Sequence, residues 1–287
     1  MHDELIKRYI KEKLHKDAIV LTRLMGGMSN YTYVIEIEGE KYTFRVPGKG
    51  AEHFTNRKQE AEIMKSIEPY HFLPKPIIND VETGYKVAPY VEGQILSEVP
   101  DKPLETIAAI LKKVNSIPKF DYDYEPLKRL ADYEALSNEL DPVYQALKEK
   151  FLDIYQQQLQ FVPLVACHGD AQVSNFVLAE DKIYLMDWEF AANNDPIYDI
   201  ACFGNATFDD ALNLIEVYYD NPGPDKYQRL YAWRMFQCLQ WHCVAKYKHI
   251  IGLSEELAID FGYVAKQYLV KAKEFFQDYL NITEKGE

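Results

Sequence analysis

His168-Gly169-Asp170-Ala171-Gln172-Val173-Ser174-Asn175 places a histidine, an aspartate and an asparagine at the spacing H-x-D-x-x-x-x-N. An aspartate in such a loop can accept the proton of an attacking hydroxyl, and the asparagine can hold magnesium through its amide oxygen. Asp187 follows twelve residues after Asn175, at the end of Ile183-Tyr184-Leu185-Met186. Magnesium prefers hard oxygen ligands, usually one or two carboxylates completed by phosphate oxygens and water. His-Gly-Asp alone is a common turn. With Asn175 and Asp187 added, the chemistry expected is phosphoryl transfer to an alcohol, with Asp170 as base and Asn175 and Asp187 as metal ligands.

Short strands must position these groups. The periodicity predicts strands over 176–178 and 183–186, with 179–182 turning between them. The open ends of an antiparallel hairpin are neighbours, which predicts that Asn175 and Asp187 share one end. Upstream, Met25-Gly26-Gly27-Met28-Ser29-Asn30 could turn backbone N–H groups toward a phosphate. It is neither a Walker loop nor G-x-G-x-x-G, so a plain turn competes with a nucleotide loop. Tyr31–Ile37 then alternates as a strand, Glu38-Gly39-Glu40 turns, and Tyr42–Val46 returns, a hairpin over 31–46. Arg45 on the return strand has a fork suited to two phosphate oxygens. Glu60, on a helix predicted over 56–67, could pair with it. Taken singly, a solvated strand cation and an exposed helix carboxylate would look the same.

Around these groups, a helix is expected over the first fifteen or so residues, and another strand over 85–91. Helices are expected near 104–114, 131–160, 209–219, 224–250 and 255–280. This predicts an α+β protein with a small β-rich N-terminal lobe, residues 1–91, and a larger, mainly helical C-terminal lobe, residues 92–287, with ligands bound between them. The 287 residues suffice for two cored lobes. A net charge of −13 argues against nucleic acid and anionic lipid as partners. The four cysteines, none in C-x-x-C spacing, read as buried thiols of a reducing compartment. No apolar run suits a signal peptide or a membrane span, so a cytoplasmic protein is expected. The helices at 209–219 and 255–280 could pack within the chain or against another copy, which leaves the oligomeric state open.

With these motifs the chain resembles the choline kinase and aminoglycoside phosphotransferase superfamily. Within it, the chain is similar to the bacterial choline kinases that supply phosphocholine for cell-surface polymers. The resemblance runs from Gly26-Gly27-Met28-Ser29-Asn30 to the aromatic helix at 231–241, through the 168–175 loop and Asp187-Trp188-Glu189-Phe190. Phe44-Arg45-Val46-Pro47-Gly48 looks like the choline kinase branch, because aminoglycoside phosphotransferases typically carry lysine where Arg45 stands. The resemblance implies a protein-kinase-like bilobal fold, ATP and Mg2+ as cofactors, and choline as the small molecule phosphorylated on its hydroxyl. It implies Gly26, Gly27, Met28, Ser29, Asn30 and Arg45 on the ATP phosphates, with Glu60 orienting Arg45. It also implies Pro89, Tyr90 and Val91 as the hinge that meets adenine, and Gln172 near the substrate. Animal choline kinases carry a glutamate shortly after the pair matching Asp199-Ile200. Residues 201–206 here hold no acid, so a cation would be held differently.

Trp233, Phe236, Gln237, Gln240 and Trp241 share one helix face by spacing. A quaternary ammonium has no N–H to donate, and aromatic faces attract it by about 2 kcal/mol per desolvated contact. Such a stripe is more often core. The resemblance favours a cage of Trp233 and Phe236; by its spacing Trp241 could stand beside them, and Phe190, after Asp187-Trp188-Glu189, could close the pocket from the other side. Ethanolamine and aminoglycosides are the alternative acceptors. Aminoglycosides are polycations, and the acids Glu255, Glu256 and Asp260 make no dense cluster near the motif. Asp187-Trp188-Glu189 in place of D-F-G, with no A-P-E segment, disfavours a protein kinase. A binding module without turnover would lack Asp170, Asn175 or Asp187, and all three are present.

Overall fold

A two-residue loop closes the first hairpin: Ile37 pairs with Glu40, while Glu38 and Gly39 take φ of 53° and 84°. Two positive φ angles match the twist of the strands. The computed structural model describes residues 2–24, 30–137, 139–180 and 182–285. Gly26, Gly27, Met28 and Ser29 of the expected phosphate loop lie outside the described residues.

In chain order the elements begin with α1 (Asp3–Leu14), β1 (Ala18–Leu24), β2 (Asn30–Ile37), β3 (Glu40–Pro47) and α2 (Arg57–Ile67). Next come β4 (Ile78–Asn79), β5 (Lys86–Pro89), β6 (Gln94–Ile95), α3 (Leu104–Ser116), α4 (Pro126–Glu134) and α5 (Pro142–Gln157). Then follow β7 (Val165–Cys167), β8 (Phe176–Leu178), β9 (Ile183–Leu185), β10 (Ala192–Asn194) and α6 (Ile197–Phe203). The chain ends with α7 (Phe208–Tyr219), α8 (Pro224–Ile250), α9 (Leu253–Leu257) and α10 (Phe261–Lys285).

Two compact units result. One comprises Met1–Ile95 with Val177–Glu189, the other Leu96–Phe176 with Phe190–Glu287. The first unit thus takes in the 177–189 hairpin as well as the chain up to residue 95. In that unit an antiparallel sheet runs in the order β1-β2-β3-β5-β4. Tyr33, Ile35, Ile37, Phe44, Val46 and Val87 bury one face of it beneath Ile6, Tyr9 and Ile10 of α1. A smaller sheet, β6-β8-β9, carries the second hairpin.

In the second unit α8 packs against α5, α6 and α10. Most of its length is buried, including Trp233, Phe236 and Leu239. Each such side chain stabilises the fold by about 2–3 kcal/mol through burial alone. The four cysteines are free and buried. Among the described residues no helix is long and apolar enough to cross a membrane.

Several elements differ from expectation. The helix expected over 131–160 is two, α4 and α5, because Pro142 starts a new helix; Asp141 Oδ1 caps it, accepting from Val143 N at 2.8 Å. The helix expected over 255–280 is likewise interrupted after α9, where Ala258 takes a φ of 53°. Strand β1, the short strands β4, β6, β7 and β10, and helix α6 carry no expectation; α6 is buried on every side and so lacks an amphipathic stripe.

Candidate active site

In the first unit, strand register builds a charged cluster. Pairing of β3 with β5 sets Arg45 opposite Lys86. Across from them stands Glu60, in the first turn of α2, a helix capped by Asn56 Oδ1 accepting from Lys58 N and Gln59 N. A carboxylate there is favoured by the helix dipole. Arg45 donates through both terminal nitrogens to Glu60, Nη1 to Oε1 at 3.0 Å and Nη2 to Oε2 at 2.7 Å. Lys86 Nζ donates to Glu60 Oε1 as well. Burial pushes the Glu60 carboxyl up, but Lys86 and Arg45 overcome it and hold it at about 2. Burial works against the Arg45 charge too, and Glu60 more than restores it.

The same arginine faces the turn after β9. Its Nη1 lies 3.6 Å from Asp187 Oδ1 and 3.5 Å from Glu189 Oε2. Asn30 Nδ2 donates to Glu189 Oε2 at 3.0 Å. The turn is pinned by Trp188, fully buried against Phe72, whose indole N–H donates to Leu185 O at 2.8 Å. Asp187 takes a φ of 61°, a left-handed conformation that aspartate tolerates better than most residues. Burial pushes both Asp187 and Glu189 up, Glu189 to about 8 with the Asp187 charge adding to the rise, and the opposing pull of Arg45 does not bring either back to its ordinary value.

In the second unit, β7 delivers the 168–175 loop. Gly169 takes a φ of 80°, and a Cβ on it would stand 2.2 Å from Phe190 O, so only glycine fits. Asp199, on α6 and fully buried, clamps the loop: Oδ2 accepts from His168 N at 2.7 Å and Oδ1 from Gly169 N at 2.8 Å. Burial holds its carboxyl up at about 6 although both N–H groups pull it down. The Asp170 carboxylate receives two amide donors on Oδ2, Gln172 Nε2 and Asn175 Nδ2, each at 3.0 Å. Asn175 Nδ2 also donates to Asp170 O at 2.8 Å. The Gln172 amide oxygen accepts from Asn205 Nδ2 at 2.9 Å.

The structure therefore brings Arg45 together with Glu60 and Asp187, and Asp170 together with Gln172 and Asn175. Tyr90 N donates to Lys41 O at 3.0 Å, and Pro89, Tyr90 and Val91 remain partly exposed at the end of β5. The aromatic face of α8 is placed differently from the expected cage. Trp233 is 1% exposed and Phe236 0%, both packed among Phe151 and Tyr198. The Trp233 indole N–H donates to Asp195 Oδ2 at 2.8 Å, and Asp195 pairs with Arg229. These two aromatics are core, with no face open to a cation. Trp241 is half-buried, and Phe190 is buried with the Arg129 guanidinium 5.7 Å from its ring. Lys86 and Asp199 were missed as site residues. A cation placed opposite Arg45 by strand pairing was the signal for the first; for Asp199 it was an acid within an otherwise apolar 197–203 segment.

Two proteins named LicA from Haemophilus influenzae are 24% identical over 201 and 187 residues, and the matches span 58% and 69% of their lengths. Against the first this is 66% of the present chain. A thiamine kinase of Escherichia coli is 23% identical over 220 residues, 75% of each chain. Among solved structures, the choline kinase LicA from Streptococcus pneumoniae superposes with a TM-score of 0.81 at 24% identity, covering 96% of this chain and 99% of that one. LicA in complex with AMP gives 0.80. The fold is thus kinase-like, with a small β-rich unit and a larger helical one. Residues 20–233 match the phosphotransferase enzyme family, and the chain belongs to that family.

Proposed function

We propose that this protein transfers the γ-phosphoryl group of ATP to the hydroxyl of a small alcohol, with choline as the acceptor. The observation that carries the reading is the Asp170 carboxylate, held on one oxygen by the amides of Gln172 and Asn175. That arrangement fixes a base without neutralising it. Asp170 accepts the hydroxyl proton as the alcohol oxygen attacks the γ-phosphorus; the bond to the β–γ bridging oxygen breaks and ADP leaves. Arg45, held rigid by Glu60, offsets charge on the phosphates. Pro89, Tyr90 and Val91 meet the adenine.

Magnesium fits the donor set. Both hydrogen bonds of Asn175 leave from its nitrogen, which turns the amide oxygen outward as a hard ligand. Asn175 and Asp187 would hold the ion, which supplies charge neutralisation on the phosphates. Choline is favoured by the LicA likeness. Thiamine, also a cationic primary alcohol, is the second reading, supported by the thiamine kinase relatives.

The test is magnesium-dependent ATP consumption with choline, thiamine, ethanolamine and kanamycin in parallel. Stimulation by choline is expected. Asp170→Asn should lower kcat by roughly 10³-fold while ATP binding persists. Full activity of that variant would remove the assignment.

A further inference from the structure

We propose that Asn205 and Arg234 are positioning residues that decide which atom Gln172 turns toward Asp170. The inference rests on the reading of Asp170 as the base, and it starts from hydrogen-bond polarity. Arginine carries donors only. Arg234 Nη2 donates to Asn205 Oδ1 at 2.8 Å. The Asn205 amide must then present its nitrogen to Gln172, whose Oε1 accepts at 2.9 Å. Gln172 is left with its own nitrogen toward Asp170 Oδ2, at 3.0 Å. A donor-only group at one end and an acceptor-only carboxylate at the other thus orient two amides that could each stand either way round.

The surroundings suit this role better than a purely structural one. Arg234 is 2% exposed on α8, and no carboxylate pairs with it among the described residues. Its other terminal nitrogen donates to Gln237 Oε1 at 2.9 Å, Gln237 Nε2 donates to Tyr198 O at 3.0 Å, and the Phe275 ring lies 5.7 Å away. A buried guanidinium is ordinarily matched by a carboxylate. Here its oxygens are neutral, so the charge is not cancelled and polarises the amides that lead to Asp170. The backbone before Asn205 is fixed as well, since a Cβ on Gly204 would stand 2.6 Å from Ala211 Cβ.

Asn205→Asp separates the two roles. It keeps the volume and gives Arg234 a charged partner, so a structural role predicts unchanged or improved stability with activity intact. The relay predicts the opposite for activity. An aspartate there only accepts, so Gln172 must reverse and set its oxygen against the Asp170 carboxylate. The expected result is an unchanged or higher Tm, a KM for ATP within about twofold, and kcat lower by roughly 100-fold, the size of a small misplacement at a reacting group. Arg234→Lys, still donor-only, should keep kcat within about tenfold, and Arg234→Met should fall as far as Asn205→Asp. A folded Asn205→Asp protein with normal kcat, or equal activity of the lysine and methionine variants, would overturn the relay. Turnover lost in Asp170→Asn but kept in Asn205→Asp removes the relay alone. Turnover surviving in Asp170→Asn removes the base and the relay with it.

Discussion

Arg45, mostly shielded, and Arg234, fully buried, both stand beside residues proposed for the chemistry, yet their settings are opposite. Arg45 sits among Glu60, Asp187 and Glu189, and Glu60 answers to Lys86 as well. Among the described residues the polar partners of Arg234 are amide and carbonyl oxygens, with a ring beside it. The first unit balances charge with charge; the second orients dipoles with charge. The first arrangement suits a region that meets a polyanion, where charge can be exchanged among neighbours. The second suits a base that must keep both its charge and its aim.

The largest effect that could break this contrast is Glu60→Gln. It leaves Arg45 and Lys86 without their shared carboxylate, and breaking such a buried pair costs about 3–5 kcal/mol. The Glu60 carboxyl is held at about 2, below its ordinary 4.5. Its contribution is therefore full above about 4.5 and disappears as the pH falls toward 2. Urea unfolding should show a large deficit for the variant at pH 7 and a shrinking one in acid. A deficit independent of pH would mean that packing, not charge, sets the first unit.

Asp199 tests the second unit. Its folded value of about 6 exceeds the ordinary 3.8, so the native state retains a proton that the unfolded chain has already lost. Stability from this group therefore falls as the pH rises from about 4 to about 6, by up to about 3 kcal/mol. Asp199→Asn should flatten that fall, while leaving one of the two backbone N–H groups without its acceptor. An unchanged slope would show that Asp199 ionises in the native state as readily as in the unfolded chain, so that the clamp is a carboxylate across this range.

The smallest expected effect sharpens the contrast. Trp233 donates to Asp195, which is paired with Arg229, so one place in the second unit does follow the ion-pair rule. Trp233→Phe keeps the burial and loses one hydrogen bond. A stability loss of about 1 kcal/mol with an unchanged KM for the acceptor is expected. A tenfold rise in that KM would instead place the indole against the acceptor.

What could be read from the sequence was local. The 31–46 hairpin, the capped helix bearing Glu60, and the spacing of Asp170, Asn175 and Asp187 all lie in patterns a few residues long. What could not be read depends on partners far along the chain. Lys86 acts on Glu60 because β5 lies beside β3, and Asp199 meets His168 N from 31 residues away. Arg234 sits in a helix whose buried surface goes nearly all the way round, so its polar role leaves no trace in the periodicity. The same lack of an amphipathic stripe explains the unexpected α6. For α4 and α5 the apolar spacing carries on across Pro142, and only the proline and its cap mark the break.

The first unit is assembled from two separate stretches of chain, and that bears on how the protein is made. When a ribosome has released residues 1–95, β6 still lacks β8, and Arg45 still lacks Asp187 and Glu189. These partners emerge only after roughly eighty more residues of the second unit, several seconds later at ordinary rates of synthesis. The smaller unit starts first and finishes only when residue 189 is out. A fragment ended at residue 95 would be an arrested nascent state rather than a domain.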